Sequence, residues 1–353
     1  MAPVDTLILI EEQRWDELRS HLTEHPEEAR RLLVPSKGQL HLHVLCSLGS
    51  TASEVVTFVA RLYPEAVTIP DTQYGDTPLH MAARHSQTSD RKIRGMLALL
   101  PGEQRQGVLL RNKFGGTVLH SAANHNAVLG VLQALVEVNP RLLNVSTHDG
   151  IAPISALYTS YINTIPGYMT VARILKGEVG VASGHFERFW AKAVFMSTAN
   201  QTPPENVPKH RMVLHGLLQG HNLVNFYKLA LKWDASLASV KSSDGNLPLH
   251  VLVERRPFRL KEKEAITVTL EANNTAAGVR NVHGDLPLFL AIRNKMPFHN
   301  GMDAILEASR SSVACRDPET KLLPFQLAAA VGGKVAVDNT FHILQTQPDL
   351  LSV

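Results

Sequence analysis

The 353-residue sequence predicts an all-α solenoid of stacked helix-turn-helix units, about eight of them, with an N-terminal cap and one insertion. Three observations predict it. A glycine-led motif recurs along the chain, a second marker recurs in phase with it, and apolar residues between the two fall at helical spacing. Composition agrees: 44% of residues are apolar but only 6% aromatic, and the apolar content is carried by Leu, Ala and Val, which favours helices over a β-sandwich.

In chain order, residues 1–34 read as a helical cap, with Trp15, Leu18 and Leu22 on a stretch that closes on His25-Pro26-Glu27. Stacked repeats bury a core only against neighbours, so an end unit needs such a cap. Residues 35–157 hold the first repeats. Gly75-Asp76-Thr77-Pro78-Leu79-His80-Met81-Ala82 returns as Gly115-Gly116-Thr117-Val118-Leu119-His120-Ser121-Ala122 and as Gly245-Asn246-Leu247-Pro248-Leu249-His250-Val251-Leu252. Looser copies begin at Gly38, Gly150, His210, Gly284 and Lys321. Successive starts lie 37, 40, 35, 60, 35, 39 and 37 residues apart, so one insertion, assigned to 158–208, breaks the period. Its segment His185 to Met196 reads as an amphipathic helix, expected either to complete the core or to offer Phe189 and Trp190 to a partner. Residues 209–353 resume the repeats and close on a last helix around Phe341-His342-Ile343-Leu344.

The second marker is an apolar run ending in Pro or Asp and then Leu or Ala, as at Tyr63-Pro64-Glu65-Ala66, Asn139-Pro140-Arg141-Leu142, Trp233-Asp234-Ala235 and Gln347-Pro348-Asp349-Leu350. In the first three cases it falls 10 or 11 residues before the next glycine. Just ahead of it, Val128, Val131, Leu132, Leu135 and Val136 follow the spacing of one buried helical face, and Asn222 to Leu231 behaves similarly. The loops Ser146 to Gly150 and Ser242 to Gly245 hold turn residues.

Within a unit, Thr77 suits a helix N-cap and Pro78 the first helical position, where no backbone donor is missed. Leu79, Ala82 and Ala83 suit the core, the alanines letting paired helices approach closely. Asp76 to Ala83, DTPLHMAA, resembles the ankyrin consensus with its Thr-Pro-Leu-His core. The resemblance runs over nearly the whole chain, but only the repeat at Gly75 is close. Other copies replace Thr with Leu, Val or Ala, and the units exceed the family's usual length of about 33 residues. This loosened form resembles the divergent, long-repeat ankyrin proteins expanded in photosynthetic protists. The resemblance implies that His80 bonds the capping Thr and the neighbouring loop, a role carried to His120, His215 and His250, and to His43. Leu247 removes one of those partners from His250. Thr77, Pro78, Leu79, Leu119, Pro248 and Leu249 are read as structural in the same way.

Several function classes are disfavoured. The net charge of +3 is far below that of a dedicated nucleic-acid binder, and Cys46 and Cys315 alone make no disulfide framework. No apolar stretch approaches the roughly 18 residues of a membrane span, and the N-terminus has no signal-peptide pattern, so a cytoplasmic or nuclear protein is expected. No phosphate loop, dinucleotide fingerprint or nucleophile elbow occurs, and no cofactor or catalytic residue is expected. His41, His43 and Cys46 have metal-ligand types at short spacing, but His43 is the repeat histidine and no fourth ligand is evident, so no metal is assigned.

The expectation is a non-enzymatic scaffold or adaptor, monomeric when free, that binds a protein partner. The resemblance implies binding through loop tips and a concave helix face. Positions four and five after the repeat histidine give a candidate row of Arg84, His85, Asn124, His125, Glu254, Arg255, Arg293 and Asn294, with Tyr74 and Phe114 as candidate hot spots at the loop tips. Glu11 to Glu28 holds seven acids and two Arg, whereas Arg84 to Lys113 holds seven bases and two acids; a second basic cluster spans Arg255 to Lys263. Such clusters are solvated faces unless they dock an acidic protein segment. The alternative is a structural or assembly subunit docked through the 158–208 insertion.

Overall fold

Each glycine-led motif folds as a tight loop that enters a short helix, and the second markers at 63–66, 139–142 and 233–235 fold as tight turns that end a second helix, while the marker beginning at Gln347 lies outside the described residues from 348 onward. The computed structural model describes residues 5–85, 90–164, 173–174, 183–218, 224–254 and 260–347. Their contacts divide the chain into two compact units, Met1–Tyr168 with Ala182–Met196, and Met169–Val181 with Ser197–Val353.

The first unit begins with α1 (Thr6–Glu11) and α2 (Trp15–Glu24). A small antiparallel pair follows, β1 (Leu32–Val34) with β2 (Gln39–Leu40), Leu32 facing Leu40. Helix pairs then alternate: α3 (His41–Ser47) with α4 (Ser53–Leu62), α5 (Pro78–Arg84) with α6 (Arg91–Leu99), and α7 (Val118–Asn124) with α8 (Leu129–Val138). After α9 (Pro153–Thr164) comes α10 (Ser183–Thr198), whose first part belongs to this unit. The first helices α3, α5, α7 and α9 pack in one row, and the second helices α4, α6 and α8 in another.

The second unit repeats the plan with α11 (Val213–Leu217) and α12 (Val224–Trp233), α13 (Pro248–Glu254) and α14 (Leu260–Ala272), α15 (Pro287–Arg293) and α16 (Met302–Ala308), and α17 (Pro324–Val331) and α18 (Ala336–Thr346). First helices again pack on first helices, and α12, α14 and α16 on one another. Apart from the short β pair, the described residues are helices, turns and loops, an all-α architecture.

The core sits between the rows. Leu79, Leu119, Leu249 and Leu288, one per first helix, are sealed from solvent, as are Ala82, Ala83, Ala122 and Ala123. Each leucine contributes about 1.5–3 kcal/mol by leaving water, and the alanines keep the rows close. The second marker is a 3₁₀ turn, as at Pro64–Thr68, Pro140–Asn144 and Ala235–Ser239. Tyr63 and Asn139, with φ of -146° and -152°, leave the helix because a following proline excludes the α conformation. The turn then buries a pair of side chains, Ala66 with Val67 and Leu142 with Leu143. Two further turns, at Asn274–Gly278 and Arg310–Ala314, do the same without proline.

Candidate functional site

The repeat histidines bind one unit to the next. His80 Nδ1 accepts from the Thr77 backbone N–H at 3.3 Å and the Thr77 hydroxyl at 2.8 Å, while its Nε2–H donates to the Gly116 carbonyl of the next loop at 3.3 Å. His120 does the same with Thr117 and the Ile151 carbonyl, the latter at 3.0 Å. At His250 the hydroxyl is missing, yet Nδ1 still accepts from the Leu247 N–H at 3.1 Å and Nε2–H reaches the Asp285 carbonyl at 3.3 Å. His215 donates to the Asn246 carbonyl at 2.9 Å, and His43 accepts from Leu40 N–H and donates to the Ile69 carbonyl. An acceptor at Nδ1 and a donor at Nε2 describe one neutral tautomer. Burial enforces it: the His250 imidazole is pushed down to about 4, and His43, His80, His120 and His215 are lowered for the same reason.

The loops form a second ladder, built on residues that the motif search did not single out. Asp71 Oδ1 accepts from the backbone N–H of Tyr74 and Asp76, Asn112 Oδ1 from Phe114 and Gly116, and Asn281 Oδ1 from His283 and Asp285. These side chains shape each turn, and successive tips then join by backbone bonds, Lys113 N–H to Tyr74 carbonyl at 2.8 Å and His148 N–H to Phe114 carbonyl at 3.4 Å. Gly115 is at φ +77°, and a Cβ there would meet the His148 nitrogen at 2.6 Å, so glycine serves both the turn and the approach of the next loop. Their signal in the sequence is an Asp or Asn three or four residues before the loop glycine.

Arg84 and Arg293 do not present free guanidinium groups to a partner row. Arg84 pairs with Asp76, whose sealed carboxylate also accepts from Asn112 Nδ2 at 3.0 Å. Arg293 pairs with Asp317 and lies 3.0 Å from Asp285. Burial raises the Asp317 carboxyl, but bonds from the Thr320 N–H and hydroxyl and from Arg293 hold it below its ordinary value. The sequence carries this pairing eight residues apart: Asp76 with Arg84 and Asp285 with Arg293, against Gly116 with Asn124 and Asn246 with Glu254. Where the loop acid is absent, so is the arginine.

The remaining row residues differ in placement. Asn124, His125 and Glu254 are exposed, and Asn294 is half-buried with its amide donating to the Val253 carbonyl at 3.2 Å. Arg255 lies outside the described residues, as does most of the second basic cluster. His85 faces an open groove of about 800 Å³ in the first unit, where the starts of α4, α6 and α8 meet and Asp90, Arg91 and Lys92 line the wall. Burial lowers the His85 imidazole, helped chiefly by the nearby Lys92 charge. In the insertion, Phe189 stacks on Tyr161 at 4.0 Å between ring centres and is 3% exposed, and Trp190 stacks on Phe186. Phe186 and Phe189 are thus covered within the first unit, and Trp190 is half-buried. Lys192, beside it, is buried and donates to the Asn126 carbonyl at 3.2 Å, the end of α7.

Two of the exposed aromatic rings meet at the loop tips. Tyr74 and Phe114, 43% and 63% exposed, stack on each other across adjacent loop tips with centroids 6.4 Å apart and planes 26° from parallel. Elsewhere the candidate ligand set at 41–46 disperses: His41 Nε2 meets the Thr6 hydroxyl at 2.8 Å, both His43 nitrogens are engaged, and the sealed Cys46 thiol is pushed up to about 12 by burial.

No protein-family model matches the chain, and no curated protein matches it. No helix among the described residues is long and apolar enough to cross a membrane.

Proposed function

We propose that this chain is a non-catalytic protein-interaction scaffold, a divergent ankyrin-type solenoid that docks a protein partner on its loop tips. The stacked and exposed Tyr74–Phe114 pair carries this reading. Two aromatic rings in water at adjacent turns contribute nothing to the core, and aromatic anchors of this kind dominate interface energy. The loop ladder beneath them fixes the backbone in advance, so binding loses little conformational entropy. The histidines of the repeat support a structural reading over a catalytic one, because burial keeps each neutral and His43, His80, His120 and His250 each sit between two committed partners, while His215 is tied through Nε2 to the Asn246 carbonyl. Lys113, exposed next to Phe114 in the chain with its Nζ on the Thr72 carbonyl at 2.7 Å, favours a partner with acidic residues beside its apolar contact.

The test is affinity capture from native extract with the full chain and with Tyr74→Ala/Phe114→Ala. The variant is expected to keep its thermal midpoint and lose at least about tenfold in partner recovery, as removal of a hot spot does. An unchanged partner set and affinity would overturn the loop-tip assignment.

A further inference from the structure

We propose that His299, Asp338 and His342 form a binding site for a divalent transition-metal ion of the zinc class. The three residues are 39 or more and four positions apart in sequence, and the fold of the second unit brings one ligand atom from each within 4.8 Å of the others. His299 lies on the single 3₁₀ turn Phe298–Asn300, while Asp338 and His342 occupy successive turns of one face of α18.

The donor set and spacing suit the ion. Two imidazole nitrogens and one carboxylate oxygen are the ligands that zinc and its neighbours favour, at about 2.0–2.2 Å each. A tetrahedral arrangement at that radius sets ligand atoms about 3.4 Å apart. His342 Nε2 and Asp338 Oδ1 are already 3.3 Å apart. His299 and Asp338 are exposed, so a small side-chain rotation closes the third edge.

The frame around the ligands is fixed without the ion. The half-buried His342 ring stacks on Phe298, centroids 4.4 Å apart and planes 17° from parallel, and Phe298 is itself buried. Next to Asp338, the buried Asn339 donates its amide to the Met296 carbonyl at 2.9 Å, pinning α18 to the segment that leads into His299. Helix and turn are thus held in register, and a bound ion clips them together with one coordination position left for water or a partner's side chain.

The site is tested on the full chain, stripped with chelator, by calorimetric titration with Zn²⁺ and by visible absorption with Co²⁺. Wild type is expected to take up one equivalent more than His299→Gln, with at least tenfold tighter affinity at that equivalent, and to show Co²⁺ d–d bands that His299→Gln loses. Zn²⁺ should raise the thermal midpoint of wild type by a few degrees and leave that of His299→Gln unmoved. A second variant, Asp338→Asn, exposed and outside the core, should fold as wild type in chelator and weaken binding similarly. Equal stoichiometry and affinity in wild type and His299→Gln, or saturation only at millimolar Zn²⁺, would overturn the site.

Discussion

The chain should lose stability in mild acid, and replacing one histidine should remove a defined share of that loss. An unfolded imidazole titrates near pH 6.5, whereas His250 in the fold titrates at about 4. The folded value is depressed, so the neutral form stabilises the fold fully above about pH 6.5, and that stabilisation is lost as pH falls from there toward 4. At pH 5 the unfolded chain holds nearly one more proton at this site, and the loss amounts to about 2 kcal/mol at about 1.4 kcal/mol per pH unit. His41 is pushed down to about 4 by burial as well and adds a similar amount, and His43, His80, His120 and His215 act in the same direction. Urea titrations followed by circular dichroism at pH 7.5, 6.5, 5.5 and 5.0 and constant ionic strength read the effect. His250→Gln should start less stable, having lost its bonds to Leu247 and Asp285, but should fall by about 2 kcal/mol less than wild type between pH 7.5 and pH 5. A wild-type stability that is flat over this range, or an equal pH dependence in the two proteins, would refute the neutral-histidine ladder.

Three further outcomes are expected. Gly115→Ala should cost about 2–3 kcal/mol, since the left-handed conformation and the approach to the His148 nitrogen both oppose a Cβ, whereas Gly150→Ala, at φ +75° with nothing within 4 Å, should cost only about 1 kcal/mol; denaturation midpoints compare them. Lys321 takes the glycine position of its repeat at φ 62°, so Lys321→Gly should leave stability unchanged or raise it by up to about 1 kcal/mol, and a loss above that size contradicts the alignment of this repeat. Arg84→Gln strands the sealed Asp76 carboxylate and should destabilise by about 2–3 kcal/mol, while partner affinity measured below the thermal midpoint stays within about twofold, because the arginine belongs to the loop.

The helix pairs were legible because their signals are local. Thr77-Pro78 caps and starts α5, Pro64 and Pro140 stop α4 and α8, and a glycine led most of the loops, all within a few residues of the structure they specify. The all-helical reading missed β1 and β2, where a turn begun by Pro35 and closed by the left-handed Gly38 (φ 62°) reverses the chain into the strand pair described in this structure. Exposure was harder to read. Arg84 and Arg293 looked like surface charges because their partners, Asp76 and Asp317, are eight and 24 residues away and polar residues carry no mark of being sealed. For Phe189 and Trp190 the sequence left core and partner-facing roles both open, because Tyr161, which covers Phe189, lies on another helix. Lys192 and the 299–338–342 cluster depend wholly on tertiary contact, and only Asp338 and His342, four apart on one helix, left any trace in the sequence.

The loop-tip surface is tested most directly by placing a photo-crosslinking residue at position 114 of the full chain, with a second chain carrying it at the exposed position Trp233. In native extract, position 114 is expected to yield a discrete protein adduct that Tyr74→Ala abolishes and that position 233 does not form. Adducts from 233 alone, or the same adduct from both positions regardless of Tyr74, would contradict a scaffold that binds through its stacked rings.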